Sequence, residues 1–406
     1  MERSRISGYF DNDMNWIGPA HSPEAMRRAE QLYREGLRRH QPAGDRVEFG
    51  DNKHHATYTR IKVDEALYSV GLLQRGELHR DADTADTFDL VRVARDFLSL
   101  AGAEMPPGDQ RATVIQRALG SSDFPSMLNA IMNKALALGY QTADVTWPLF
   151  TVMRPVKDYK TFEALRGASM QIPAKVPENA ELGFGPLLDE GSETGAIESY
   201  KQRISISRQA LANGDIEQIT MTPYAAGQSI SRLINKLVFE ALTSNPTLSD
   251  GVACFHSDHG NYVTSGAAPS VTTLDTAASM MGAQVNAANE PLNIRPNVIL
   301  GPHDYSSTFS ILRNSINSPD PAEQSTGKIL TATDSALTGT GWYAVADPAV
   351  HPGIAVVVLA GTENTPRLEE LTKPPIGAPD GRHWLLGYDC AAVIVDHKAL
   401  FQNDGA

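Results

Sequence analysis

The sequence predicts an α+β chain: helices first, then an extended arm, then one long helix among short apolar strands. Three observations point to it. The 406 residues are 41% hydrophobic and 20% charged, a globular balance in a chain long enough for two domains and a sizeable core. Apolar residues recur at helical spacing up to about residue 140, and the pattern turns extended from Pro155. The longest apolar run, Ile354 to Ala360, is far too short to span a bilayer.

The first part reads as separate helices on loose connections. From Pro23 to Arg39, residues Ala25, Ala29, Leu32, Tyr33 and Leu37 keep roughly helical spacing, with Arg27, Arg28, Arg34, Arg38 and Arg39 between them. A basic amphipathic helix can bind a membrane or a partner; the plainer reading is a solvated charged face. A polar stretch of low expected order, Gln41 to Thr57, follows. A second helix spans Asp86 to Leu100, with Leu90, Val93, Ala94, Phe97 and Leu98 on one face, and Pro106-Pro107 lies beyond its end. A third begins near Asp123, capped by Ser122 or Asp123, with Pro125 in its first turn. Met127, Leu128, Ile131, Met132, Ala135 and Leu136 form its stripe, which stops around Gly139.

From Pro155 to Arg208 the chain reads as a long two-stranded excursion. Lys157 to Phe162 and Tyr200 to Arg208 alternate, and Pro173, Pro177, Gly183, Gly185, Pro186 and Gly191 break the stretch between. A compact enzyme rarely carries so long an arm without a partner for it. The strongest helix follows Thr222-Pro223, with Ile230, Leu233, Ile234, Leu237, Val238, Ala241 and Leu242 on its face and Ser244-Asn245-Pro246 at its end. Thr273 to Val285 reads as a helix, and Asn297 to Leu300, Ile354 to Leu359 and Ala391 to Val395 as short strands.

Charge and cysteine usage narrow the class. The net charge is −13. Residues 1–120 are near balance and the excess acid lies beyond them, which disfavours tight nucleic-acid binding because phosphate contacts need Lys and Arg. Two distant cysteines, Cys254 and Cys390, make no disulfide framework and suit a reducing compartment. The opening residues MERSRISGYF lack the apolar segment of a signal peptide.

The segment most like chemistry is Phe255 to Asn261, FHSDHGN. His256, Asp258 and His259 could ligate zinc or iron and serve a metal-dependent hydrolase. No HExxH accompanies them, and the alternative is a polar turn bonded to its own backbone. Cys254 beside the histidines could be a nucleophile, or a small core cysteine. His54-His55, His303 and His351 stand alone in sequence, and GxSxG, P-loop and GxGxxG patterns are absent. Asp189, Glu190 and Glu193 make the tip of the arm acidic. No catalytic or cofactor-binding residue and no cofactor are expected.

Five segments together resemble a known family: Ser121 to Leu136, Tyr200 to Asp215, Phe255 to Asn261, Asn289 to Pro302 and Gly387 to Ala406. In this order and spacing they are similar to the major capsid proteins of tailed phages, of the Mu-like prophage head-subunit type. The resemblance covers residues from about 85 to 406.

It implies an HK97-like capsid fold preceded by a mainly helical extension. The expected segments are a scaffold-like extension at 1–113, an N-terminal arm at 114–154, an E-loop at 155–209 that lies over a neighbouring subunit, and a peripheral domain with its spine helix at 210–271. An axial domain at 272–360 and a return to the peripheral domain at 361–406 complete the set. It implies a non-enzymatic subunit assembling into hexamers and pentamers of an icosahedral virion shell, built in the bacterial cytoplasm. Portal and prohead protease would be partners. Double-stranded DNA would be touched weakly and without sequence specificity, and no membrane would be involved. An encapsulin-like compartment shell is the alternative with the same fold.

Overall fold

The computed structural model describes residues 9–10, 16–17, 52–79, 81–82, 88–100, 111–121, 123–166, 168–170, 172–173, 175, 187–189, 191–316, 329–363, 365–371 and 380–405. The helix expected at Pro23 to Arg39 and most of the arm's tip lie outside them. The fold is α+β, with a mainly helical N-terminal region. Two short strands, β1 (Tyr9–Phe10) and β2 (Trp16–Ile17), pair antiparallel.

Among the described residues, the N-terminal helices begin with α1 (Asn52–Ser69), α2 (Leu90–Leu100) and α3 (Arg111–Ala118). The loose connections expected here give way to a packed layer. Val63, Ala66 and Leu67 of α1, Leu90, Val93, Ala94, Phe97 and Leu98 of α2, and Val114, Ile115 and Ala118 of α3 are buried in one core with α4 (Asp123–Gln141). Phe97 stands edge-on to both Tyr58 and Phe124, at 5.7 and 6.1 Å between ring centroids. Buried Asp64 accepts from Lys134 Nζ of α4 at 2.5 Å and from the His79 amide at 2.9 Å. Helix α1 was missed because Asn52 to His55 are polar and its apolar pattern begins late.

After α5 (Arg208–Asn213), Gly214 turns left-handed at φ 75° and caps it. Helix α6 (Ile216–Thr243) then starts at Asp215. Pro223, expected in the first turn, lies well inside α6 and is buried. The helix runs on through it, giving up the one backbone bond that proline cannot donate. At about 1.5 Å per residue, α6 is on the order of 40 Å long. Helices α4 and α6 cross at two glycines. A Cβ on Gly139 would lie 1.9 Å from the Tyr224 carbonyl oxygen, and one on Gly227 2.2 Å from that of Leu136.

The main sheet is organised by β15 (Gly381–Ile394). Along one edge, β8 (Glu198–Ser207) pairs antiparallel with residues 381–390 over its whole length. Along the other edge run β14 (Arg367–Glu370) and then β13 (Ile354–Leu359), with β3 (Thr151–Val156) parallel to β13. The second sheet has the order β11 (Leu330–Thr333), β10 (Pro296–Gly301), β12 (Trp342–Ala346), β16 (Leu400–Asn403), β9 (Tyr262–Val263). With α7 (Val271–Gly282) and α8 (Ser306–Ile316) it encloses a second core around Trp342, Phe309 and Phe401. Ser270 caps α7, its Oγ accepting from the Thr273 amide at 3.2 Å.

The pairing divides the chain differently from the expected segments. β8 belongs to the main sheet, so the two-stranded arm is shorter than 155–209. It comprises β4 (Phe162–Leu165) with β7 (Ser192–Gly195), and β5 (Ala168–Met170) with β6 (Leu187–Asp189). β13, expected within 272–360, lies in the main sheet, where β3 and β15 flank it and its side chains are buried. The last strand, β16, crosses into the second sheet.

A polar joint ties the two cores. Asn235 of α6 accepts from the Thr146 and Trp147 amides at 3.3 and 3.2 Å and donates to Asp334 Oδ2 at 2.9 Å. Thr146 Oγ1 reaches the same oxygen at 2.6 Å, and Asp334 is buried. Asn235→Ala leaves a carboxylate and two amides short of partners. We expect it to lower stability by about 2–3 kcal/mol, read from denaturant unfolding.

Candidate functional site

The arm is anchored where its base meets the turn after α6. Arg166, just beyond β4, donates its amide to the Gly191 carbonyl at 3.1 Å. Its guanidinium forms an ion pair with Glu193 of β7, and the two side chains are only 8% and 11% exposed. Glu193 also accepts from the Ser249 amide at 3.1 Å and from its hydroxyl at 2.8 Å. Glu193, read from sequence as part of an acidic tip, is therefore a buried anchor at the base. Alternation could not show this, because the partners Arg166 and Ser249 lie 27 and 56 residues away. Asp189 falls in β6, and Glu190 lies outside the described residues.

The FHSDHGN segment is a 3₁₀ turn, Ser257–His259, ended by Gly260 at φ 62°. His256 caps it, its Nδ1 accepting from the Asp258 amide at 3.2 Å. Buried Asn261 holds the turn closed. It accepts from the His256 amide at 3.2 Å and donates to the Cys254 and His397 carbonyls at 2.9 and 3.2 Å. These are the backbone bonds of a polar turn.

The three candidate ligands do not converge. His256 Nδ1 and Asp258 Oδ2 lie 3.4 Å apart on the exposed side, away from His259, with side chains 45% and 72% exposed. His259 turns inward instead. Its Nδ1 lies 3.1 Å from the Cys254 carbonyl and its Nε2 3.0 Å from Asp250 Oδ2. Its ring stacks on His397 at 3.9 Å between centroids and 16° between planes. Each of Asp250, His259 and His397 offers one ligand atom, and these atoms lie within 4.8 Å of one another. Burial, the largest cause, pushes His397 down to about 3 and leaves its ring neutral. Sequence reading missed Asp250 and His397; no spacing rule joins residues so far apart.

Cys254 is fully buried, and burial first, then nearby carboxylates, pushes its thiol up to about 12. It is a core cysteine and not an activated nucleophile. Cys390 is likewise buried and pushed up to about 12. Neither thiol is expected to react with a disulfide reagent at pH 8 until the protein is denatured, a difference that a thiol count before and after denaturation reads directly. Of the isolated histidines, His303 bonds Thr333 Oγ1 at 3.1 Å; His351 is half-buried, and His54 and His55 lie in α1.

Outside this cluster the surface carries apolar side chains. Leu165 and Ile172 of the arm are 58% and 67% exposed, and Ile311 and Val350 are 71% and 66% exposed. Among the described residues, no helix is long and apolar enough to cross a membrane.

A search of the curated proteins finds no match. Among solved structures, the chain aligns with the procapsid of bacteriophage JBD30 at 11% identity, covering 70% of this chain and 75% of that one with a TM-score of 0.40. It aligns with a chain of Mycobacterium phage Adephagia at 12% identity, covering 66% and 92% with a TM-score of 0.42. The holo-SrpI encapsulin complex from Synechococcus elongatus aligns at 10% identity, covering 64% and 89% with a TM-score of 0.40. The model of the family described as "Phage capsid protein" matches residues 191–403. That span runs from the returning half of the arm, through α6 and the second core, to the last strand. The chain therefore belongs to the phage capsid protein family, and it is a structural subunit rather than an enzyme.

Proposed function

We propose that the chain is the major capsid protein of a tailed bacteriophage, of the Mu-like head-subunit type with the HK97-like fold. It assembles with its own copies into hexamers and pentamers of an icosahedral shell enclosing double-stranded DNA. The observation that carries the reading is the family match across both sheets, joined to an arm fixed at its base by a buried ion pair. Such an arm leaves Leu165 and Ile172 uncovered. Ordering apolar groups in water brings no return unless a neighbour buries them.

The arm, within 155–209, serves as the E-loop, α6 as the spine helix, and the second core as most of the axial domain. Residues 1–113 serve as an assembly extension that the prohead protease removes, and the portal is a further partner. Helices α1 and α2 share a core with α4, so their removal uncovers the α4 stripe, which contacts within the mature shell must then bury. Assembly takes place in the bacterial cytoplasm and ends in the virion. Particles isolated from lysed host cells test the finer reading. Nuclease-protected double-stranded DNA and a subunit mass short of residues 1–113 are the expected results. DNA-free particles built of full-length subunits would overturn it.

A further inference from the structure

His259 poses a problem of protons. Its Nδ1 faces the Cys254 carbonyl, which can only accept, so that nitrogen carries the hydrogen. A neutral ring then has only a lone pair at Nε2, yet Nε2 lies 3.0 Å from Asp250 Oδ2, another acceptor. Two acceptors do not attract at that distance. Something positive must lie between them: a proton, held by the ring or by the carboxyl, or a metal cation.

Two further observations favour the cation. His397 is 7% exposed, and its Nδ1 is buried with no hydrogen-bond partner. A buried polar atom left unmatched calls for a missing water or ion. His397 also brings a ring nitrogen within 4.8 Å of the Asp250 and His259 ligand atoms. The bond from His259 Nδ1 to a backbone carbonyl is the outer contact that fixes a histidine's tautomer when its other nitrogen binds metal.

We propose that Asp250, His259 and His397 form a site for a divalent transition-metal ion of the zinc class. Two imidazoles and a carboxylate suit such an ion. Ligand atoms around tetrahedral zinc lie about 3.4 Å apart, so the trio must close by at most about 1.4 Å, and His397 must turn out of its stack on His259 so that both in-plane ring lone pairs meet the ion. The Asp250 side chain is 35% exposed, and that side admits the ion and leaves room for a water as fourth ligand. Of the neighbouring charges, Arg166 is neutralised by Glu193.

The consequence is mechanical. Asp250 follows Ser249, which holds Glu193 at the base of the arm. His397 lies in the turn that leads into β16. The ion joins these two segments and stiffens the arm's anchor, whatever the arm docks against.

The test uses the full-length protein, stripped with chelator and titrated with zinc, then with cobalt as a spectroscopic probe. One equivalent of zinc per chain, a raised melting temperature and visible absorption of four-coordinate cobalt are expected. Asp250→Asn, which keeps the shape of a partly exposed side chain, should weaken zinc binding by about 100-fold or more, since even outer-contact changes cost 10–100-fold. His256→Ala and Asp258→Asn should leave it unchanged. Failure of the folded protein to take up zinc would overturn the proposal, as would undiminished uptake by Asp250→Asn. So would a nitrogen spectrum of His259 showing both ring nitrogens protonated in the presence of zinc.

Discussion

Gly227→Ala is expected to destabilise the protein by about 2–3 kcal/mol, against what helix propensity alone predicts. In an open helix, replacing glycine with alanine gains about 1 kcal/mol. Here the new methyl would lie 2.2 Å from the Leu136 carbonyl oxygen and 2.7 Å from the Tyr140 amide nitrogen. Both belong to the backbone of α4 and cannot rotate away. The two longest buried helices must separate, which loosens the stripes of both. Overpacking of this kind costs about 1–3 kcal/mol and wins over propensity. Gly139→Ala meets the Tyr224 carbonyl oxygen at 1.9 Å and should behave alike. Gly76→Ala meets nothing within 4 Å and serves as the neutral control. Denaturant midpoints of the three variants check the ordering.

Glu193→Ala should cost about 3–5 kcal/mol, because it strands the Arg166 guanidinium in a buried place. Arg166 is 8% exposed on its side chain, and its Nε already has no partner. The Ser249 amide and hydroxyl lose their acceptor as well. The loss reflects an unpaired charge more than the worth of the pair. Replacing both partners, as in Arg166→Met with Glu193→Leu, should therefore recover much of the stability. If the double variant is no more stable than Glu193→Ala, the ion pair itself supplies the anchor. In either case the arm should loosen first, read as faster hydrogen exchange in β4 and β7 than in β15.

Much of the fold was legible where a pattern is local. The α4 stripe from Met127 to Leu136 is buried as its spacing requires. The runs at Asn297 to Leu300 and Ile354 to Leu359 are strands. The polar-turn reading of FHSDHGN matches its hydrogen bonds. Local signals failed where tertiary contacts overrode them. Thr222-Pro223 has the chemistry of a helix start, but the Gly214 turn and Asp215 set the start earlier. β8 alternates like an arm strand, and only its pairing with β15 places it in the sheet. The polar joint at Asn235 and the Asp250, His259, His397 trio were invisible because their members meet only through the fold. Of the predicted metal candidates, only His259 belongs to that trio, since His256 and Asp258 face solvent.

As proposed, this family member builds a closed shell from its own copies. Electron microscopy of the overexpressed full-length protein at high concentration, with sizing in parallel, reads this assembly. Icosahedral shells, or rings with five- and six-fold symmetry, are expected. A protein that stays strictly monomeric under those conditions would contradict it.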